Sequence, residues 1–208
     1  MSRAYDSVRS FEQAMCEYTG ARYAVAVESC SAALFLSCLY LKVKSYDEII
    51  VPKYTYPSVA ASIVNAGGRI KFEDIEWQDK GYYELSPIGI IDSAKMLSRN
   101  MYINVGSAPF VCISFHVRKS LPIGRGGMIL TYFDDACEWL RCARHDGRHD
   151  REVLEDDVLE MPGWNMTMTP EQAARGLCLM ENLKDENILP RDPYQDLSQY
   201  KFFTEANR

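Results

Sequence analysis

The chain has 208 residues, 47% of them hydrophobic and 25% charged, and a formal net charge of −6. That balance suits a globular fold able to bury a sizeable core rather than a disordered chain. The acidic excess gives no electrostatic reason for a nucleic-acid partner, which would favour a basic face.

A helix is predicted first, over Val8 to Tyr18, where Phe11, Met15 and Tyr18 recur at helical spacing and Gly20 supplies a stop. Tyr23 to Val27 reads as a short β-branched strand. Ser29-Cys30-Ser31 then opens an apolar helix, Ala32 to Leu41, with serine as a good N-cap residue. Glu48 to Val51 reads as a buried strand stopped by Pro52, Ser58 to Ala66 as a helix ending at Gly67-Gly68, and Arg69 to Phe72 as a strand. This alternation predicts an α/β domain with parallel strands.

The stretch from Asp74 to Pro87 is polar, aromatic and irregular. Ile88 to Ile91 is a strand ending at Asp92; Phe110 to Phe115 is another, leading to Lys119; Gly126 to Thr131 is a third, after the turn Gly124-Arg125-Gly126-Gly127. Ala136 to Arg144 is a helix, and His145 to Gly163 a charged loop with one exposed helical turn. Thr169 caps a last helix with Pro170 at its first position, running to about Leu183. The tail beyond Pro190 is polar and is expected to be poorly ordered.

Seven cysteines without a CxxC pair suggest neither a zinc nor a redox motif, and fit a reducing compartment. Met1 to Asp6 lacks a signal-peptide pattern, and no run approaches the ~20 apolar residues of a membrane span. The chain is therefore expected to be cytoplasmic, without a membrane partner. His145 and His149 lie four apart with Gly147 between them and no evident third ligand, so no metal site is expected. The acidic run Glu152 to Asp157 reads as a solvated face.

Three places carry residues suited to chemistry. Ser29-Cys30-Ser31, between a strand and a helix, offers backbone amides and a helix dipole to an anion. Asp92 ends a strand, at the sheet edge where open α/β folds bind ligands. Lys119 follows a buried strand close to glycines, where loss of solvation lowers an amine's pKa and makes it a nucleophile for a carbonyl. Each has a plainer counterpart: serines as simple caps, aspartate in a loop, lysine as a surface charge.

Taken in order, these pieces resemble the DegT/DnrJ/EryC1/StrS sugar aminotransferases. The resemblance rests on Phe11-Glu12 with Tyr18-Thr19-Gly20-Ala21-Arg22-Tyr23, on Asp47 to Pro52 with Tyr54-Thr55-Tyr56, and on Ser114-Phe115-His116 with Lys119 and Gly126-Gly127-Met128. Gly163-Trp164-Asn165 and Glu171-Gln172-Ala173-Ala174 complete it, in the family order from about residue 11 to residue 183. It implies a three-layer αβα fold with a mostly parallel sheet, like a reduced large domain of fold-type I pyridoxal enzymes. Residues 1–190 would form that domain, with the small C-terminal domain absent and 191–208 a polar tail.

The resemblance also implies pyridoxal 5'-phosphate as cofactor. Lys119 would carry it and later shuttle the proton between substrate carbon and cofactor. Asp92 would pair with the ring nitrogen, and Tyr56 would stack on the ring. Cys30, Ser31 and Ser114 would hold the phosphate, with Asn165 from a partner subunit, which implies a homodimer. The substrate would be a nucleotide-linked keto-sugar, with glutamate as amino donor. Departures from the family pattern are Ser29-Cys30-Ser31 in place of Ser-Gly-Thr, Lys95 where glutamine or histidine stands near the ring, and a short stretch from Asp74 to Ile88. A cofactor-binding or regulatory protein without transaminase activity is the alternative. A lyase or dehydratase is disfavoured by the retained Lys119.

Overall fold

The computed structural model describes residues 5–106, 108–150 and 155–204. Helix α1, Asp6–Thr19, buries Val8, Phe11, Met15 and Tyr18 and ends at Gly20, whose φ of 77° favours a residue without Cβ. Strand β1 is Tyr23–Val27, and α2, Cys30–Tyr40, starts where the Ser29 hydroxyl accepts the Ala32 N–H at 3.1 Å. Strands β2, Glu48–Pro52, and β3, Arg69–Glu73, flank α3, Pro57–Asn65. Then come β4, Tyr83–Leu85, β5, Ile90–Asp92, α4, Met101–Asn104, β6, Phe110–Ser114, and β7, Gly127–Thr131. Helices α5, Asp134–Ala143, α6, Pro170–Met180, and α7, Lys201–Thr204, complete the order. Helix α6 carries a full capping box, Thr169 with Gln172.

The main sheet has five strands in the order β1-β7-β6-β5-β4, beside a two-stranded sheet of β2 and β3. An antiparallel bridge between Ile50 and Ser86 ties β2 to the end of β4. The α/β class holds, but the expectation of a mostly parallel sheet is corrected. The pairs β1/β7, β6/β7 and β4/β5 are antiparallel, and only β5/β6 and β2/β3 are parallel. Connection length explains the difference. A parallel pair needs a crossover of a dozen or more residues, which α3 provides between β2 and β3, and the segment with α4 between β5 and β6. β4 and β5 are joined by a turn too short for anything but reversal, and β6 and β7 by a loop without a helix.

Helices cover both faces, as a three-layer arrangement requires. Alternate residues of each strand point opposite ways. Val25, Val27, Cys112 and Ile129 pack with α2, α3 and α5, whereas Ala24, Ala26, Val111 and Met128 pack with α1, α4 and α6.

The free edge of β1 is closed by side chains of this same chain. Glu12, buried on α1, accepts the Ala26 N–H at 2.9 Å, and Arg144 donates to the Ala26 carbonyl at 2.6 Å. Glu12 and Arg144 also pair with each other at 2.5 Å. Together they occupy a neighbouring strand's hydrogen bonds, blocking an edge that would otherwise template pairing.

The expected disorder beyond Pro190 does not hold over residues 191–204. Leu197 and Phe203 are buried against Ala60 and the flanks of Val64, Ile70 and Phe72, so apolar packing anchors a segment whose composition is mostly polar. Residues 205–208 of that tail lie outside the described residues, as does 151–154 of the loop expected to hold a helical turn and part of the acidic run. Within that run Asp157 accepts the His149 N–H at 3.0 Å and pairs with Arg148, so this acid is partnered rather than simply solvated. Among the described residues no helix is long and apolar enough to cross a membrane, and no group of His, Cys, Asp or Glu could hold a metal ion.

Candidate active site

Strand register brings the separated motifs together. Val27 lies opposite Gly127, and Gly127 opposite Ser114, so the start of α2, the glycine turn and the end of β6 form one row. β5 runs parallel to β6, so Asp92 and Ser114 emerge at the same carboxyl edge. These residues line a cavity of about 460 Å³ with Ser29, Cys30, Ser31, Tyr56 and Lys119. That volume falls in the range of small-molecule sites.

The start of α2 contributes donors. First-turn amides have no acceptor within their own helix. The Ser29 hydroxyl takes that of Ala32, leaving those of Cys30 and Ser31 at the cavity wall. Tyr56, directly before α3, lines the cavity and is 57% exposed.

Asp92 is 4% exposed. Its Oδ2 accepts the Tyr83 hydroxyl at 2.7 Å and its Oδ1 the Ala94 N–H at 3.0 Å. Burial pushes its carboxyl up, while these hydrogen bonds and the Lys119 charge pull the other way. Burial likewise lowers the Lys119 amine, opposed by the charges of Asp92 and Asp192. Loss of solvation is what readies a half-buried amine to deprotonate as a nucleophile, and the facing Asp92 carboxylate tempers that effect. The Cys30 thiol is driven well up by burial, so it acts as a neutral group.

The paired glycines have separate reasons. Gly126 has a φ of 144°, which L side chains rarely adopt. At Gly127 a Cβ would meet the Cys30 nitrogen at 2.5 Å, because β7 presses on the peptide that begins α2. Gly127→Ala is therefore expected to displace the Ser29–Cys30 peptide and destabilise the fold by about 1–3 kcal/mol. Thermal unfolding checks this; an unchanged melting temperature would show that the peptide yields freely.

The fourth wall comes from residues 189–194, far from the other motifs in sequence. Leu189, Asp192 and Tyr194 line the cavity. Lys95, which the family pattern places near the ring, is not on that wall. Its side chain is 0% exposed and donates to Gln78 at 3.2 Å, to Asp192 at 3.0 Å and to the Pro190 carbonyl. The ring of Tyr194 lies 5.8 Å from its nitrogen and stacks on Trp77. Lys95 thus secures the crossing segment, and Asp192 absorbs its charge. Asn165 is exposed and likewise not on the cavity wall; its neighbourhood is a bridge with His145.

Cys30, Ser31, Tyr56, Asp92, Ser114 and Lys119 therefore share one cavity, while Lys95 and Asn165 stand outside it. The sequence reading missed Tyr83, Thr55, Asp192 and Tyr194. The Tyr-Glu-Leu alternation in an aromatic stretch was a faint signal for the first; nothing local marks the last two.

A family model described as the DegT/DnrJ/EryC1/StrS aminotransferase family matches residues 1–87 and 98–199. The chain is 26% identical to the spore coat polysaccharide biosynthesis protein SpsC of Bacillus subtilis (strain 168), covering 86% of this chain and 57% of that protein. Its fold is similar to Helicobacter pylori PseC, an aminotransferase involved in the biosynthesis of pseudoaminic acid, with a TM-score of 0.69 and 17% identity over 85% of this chain and 58% of that one. It is also similar to NtdA of Bacillus subtilis with bound cofactor PMP, with a TM-score of 0.68 and 19% identity over 85% of this chain and 48% of that one. The chain thus spans about half the length of the relatives it matches. Asp92 and Lys95 fall between the two stretches the family model matches, and there the strand register carries the assignment of place. With both stretches matched in order over most of its length, the chain belongs to the DegT/DnrJ/EryC1/StrS aminotransferase family.

Proposed function

We propose that this chain is a pyridoxal-phosphate-dependent sugar aminotransferase, with residues 1–190 as its large domain and Asp192 and Tyr194, from the segment that follows, closing the cofactor cavity. The observation that carries the reading is the convergence of Lys119, buried Asp92 and the open amides of α2 on one cavity. Those groups fit the cofactor's three handles: an aldehyde for the amine, a ring nitrogen for the carboxylate, and a phosphate for the helix start. The PMP bound by NtdA, a structural relative, is in keeping with this.

When bound, the cofactor supplies an electron sink for the carbon that bears the amino group. Lys119 holds it covalently and afterwards carries the proton at its Nζ. Asp92 holds the ring nitrogen in its charged form, and Tyr56 limits tilt of the ring from one face. Cys30 and Ser31 offer backbone amides to the phosphate, with the Ser114 hydroxyl beside them. Asn165, exposed and off its own cavity, would complete the phosphate site of a second copy in a homodimer. Lys95 has no direct part; it holds in place the segment 189–194 that forms one cavity wall.

A nucleotide-linked keto-sugar with glutamate as donor is the substrate pair we favour. His116, Arg118 and Arg125 stand on the cavity wall, and guanidinium groups suit carboxylate and diphosphate oxygens.

The test uses purified protein and pyridoxal phosphate. Borohydride reduction followed by peptide mapping is expected to place the cofactor's mass on Lys119, and glutamate is expected to release 2-oxoglutarate. A cofactor that binds but ignores glutamate would sink the transamination reading and leave a binding protein. Absence of any attached mass would sink both.

A further inference from the structure

We propose that Tyr83 is a positioning residue for Asp92, the last side chain of a hydroxyl relay that runs from Thr55 to the carboxylate in the cavity. The inference rests on the reading that Asp92 holds a cofactor ring nitrogen.

The relay follows from the short β4/β5 hairpin. Its antiparallel register sets Tyr83 directly opposite Asp92, and residues so paired share a face of the sheet. The Tyr83 hydroxyl donates to Asp92 Oδ2 at 2.7 Å, and the Thr55 hydroxyl lies 2.6 Å behind it. With the Tyr83 proton given to the carboxylate, the Thr55 proton goes to the Tyr83 oxygen, and each oxygen in the chain is satisfied. Tyr83 is 4% exposed, and its ring meets the Trp77 ring at 4.7 Å. The Trp77 indole N–H is in turn fixed on the Tyr54 carbonyl at 3.0 Å. The tyrosine is therefore held by packing, and its hydroxyl has one direction to point. Each carboxylate oxygen keeps a second acceptor position, so Asp92 can take Tyr83 and Ala94 and still face a ring N–H.

The groups around Asp92 make this donor consequential. Buried Cys112 from β6 and partly buried Cys30 from α2 and Tyr194 from residues 189–194 face it as neutral groups, and Lys119 faces it as a cation. Burial works against the charged carboxylate, and the hydrogen bonds from Tyr83 and Ala94, with the Lys119 charge, favour it.

Tyr83→Phe keeps the ring and removes the hydroxyl. The readout is the affinity for pyridoxal phosphate as a function of pH, followed by absorbance, with thermal unfolding measured alongside. Affinity at neutral pH is expected to fall about tenfold, and the acid limb of the profile to move up by about one pH unit. Thr55→Val, which leaves the Tyr83 donor in place, is expected to shift the limb less and in the same direction. A structural role alone would lower the melting temperature without moving that limb, and an unmoved limb in both variants overturns the proposal. Should Tyr83→Phe not fold, the Thr55→Val profile decides alone. Wild-type protein that binds no pyridoxal phosphate would instead remove the reading on which the proposal rests.

Discussion

Lys119→Ala is expected to abolish covalent capture of pyridoxal phosphate while leaving a weaker, reversible binding. The attachment needs a neutral amine at this one position, and burial already lowers the Lys119 amine toward that state. The remaining grips, Asp92 and the start of α2, are untouched by the substitution, so the ligand still has a place to sit. Turnover from glutamate is expected to drop by a factor of at least about 10²–10⁴, the contribution of a positioned acid–base group. Lys119→Arg is expected to fail equally, because a guanidinium does not deprotonate in proteins. The discriminating measurement is the mass of the borohydride-reduced protein. Cofactor mass retained in Lys119→Ala and mapped to another lysine would sink the assignment.

Arg144→Met is expected to be the most damaging substitution to stability, at about 3–5 kcal/mol. Arg144 is buried and donates to Glu12 at 2.5 Å, to Asp150 at 2.7 Å and to the Ala26 carbonyl at 2.6 Å. Removing it strands the buried Glu12 carboxylate with Arg141 as its remaining cation, at 3.1 Å. Adding Glu12→Leu is expected to recover part of the loss, since an apolar pair replaces a broken ion pair. Recovery stays incomplete because the Ala26 N–H and carbonyl lose their partners together. Urea unfolding of the two variants measures this, and full recovery in the double variant would show that the edge of β1 does not need these side chains.

The same cluster gives stability a pH dependence. Burial pushes the Asp150 carboxyl up, but the His145 contact and the Arg144 charge outweigh it and hold it well below the usual carboxylate range. A carboxyl depressed on folding contributes its full share above its unfolded value of about 3.9 and loses it as pH falls toward the folded value. Acid unfolding of the wild type should therefore set in below about pH 4, and Asp150→Asn should flatten that limb.

Much of this protein was legible in its sequence because its signals are local. Helix α1 carries its apolar face and its glycine stop, β1 its β-prone Tyr23, Val25 and Val27, and α2 its serine cap; each depends on neighbours a few positions away. The row of motifs from Ser29 to Lys119 was likewise readable as ordered short segments, and the cavity unites six of the named positions. Strand direction was not readable, since it depends on whether a connection is long enough to cross over, and the short turn after β4 decided for reversal. Tyr83 became a partner of Asp92 only through that reversal. Lys95 was placed beside the ring by analogy, yet its charge is answered by Asp192 from 97 residues further along the chain. Periodicity and capping determine elements from within a window of a few residues. Pairing register and buried charge depend on contacts between distant segments, and those only the tertiary structure decided.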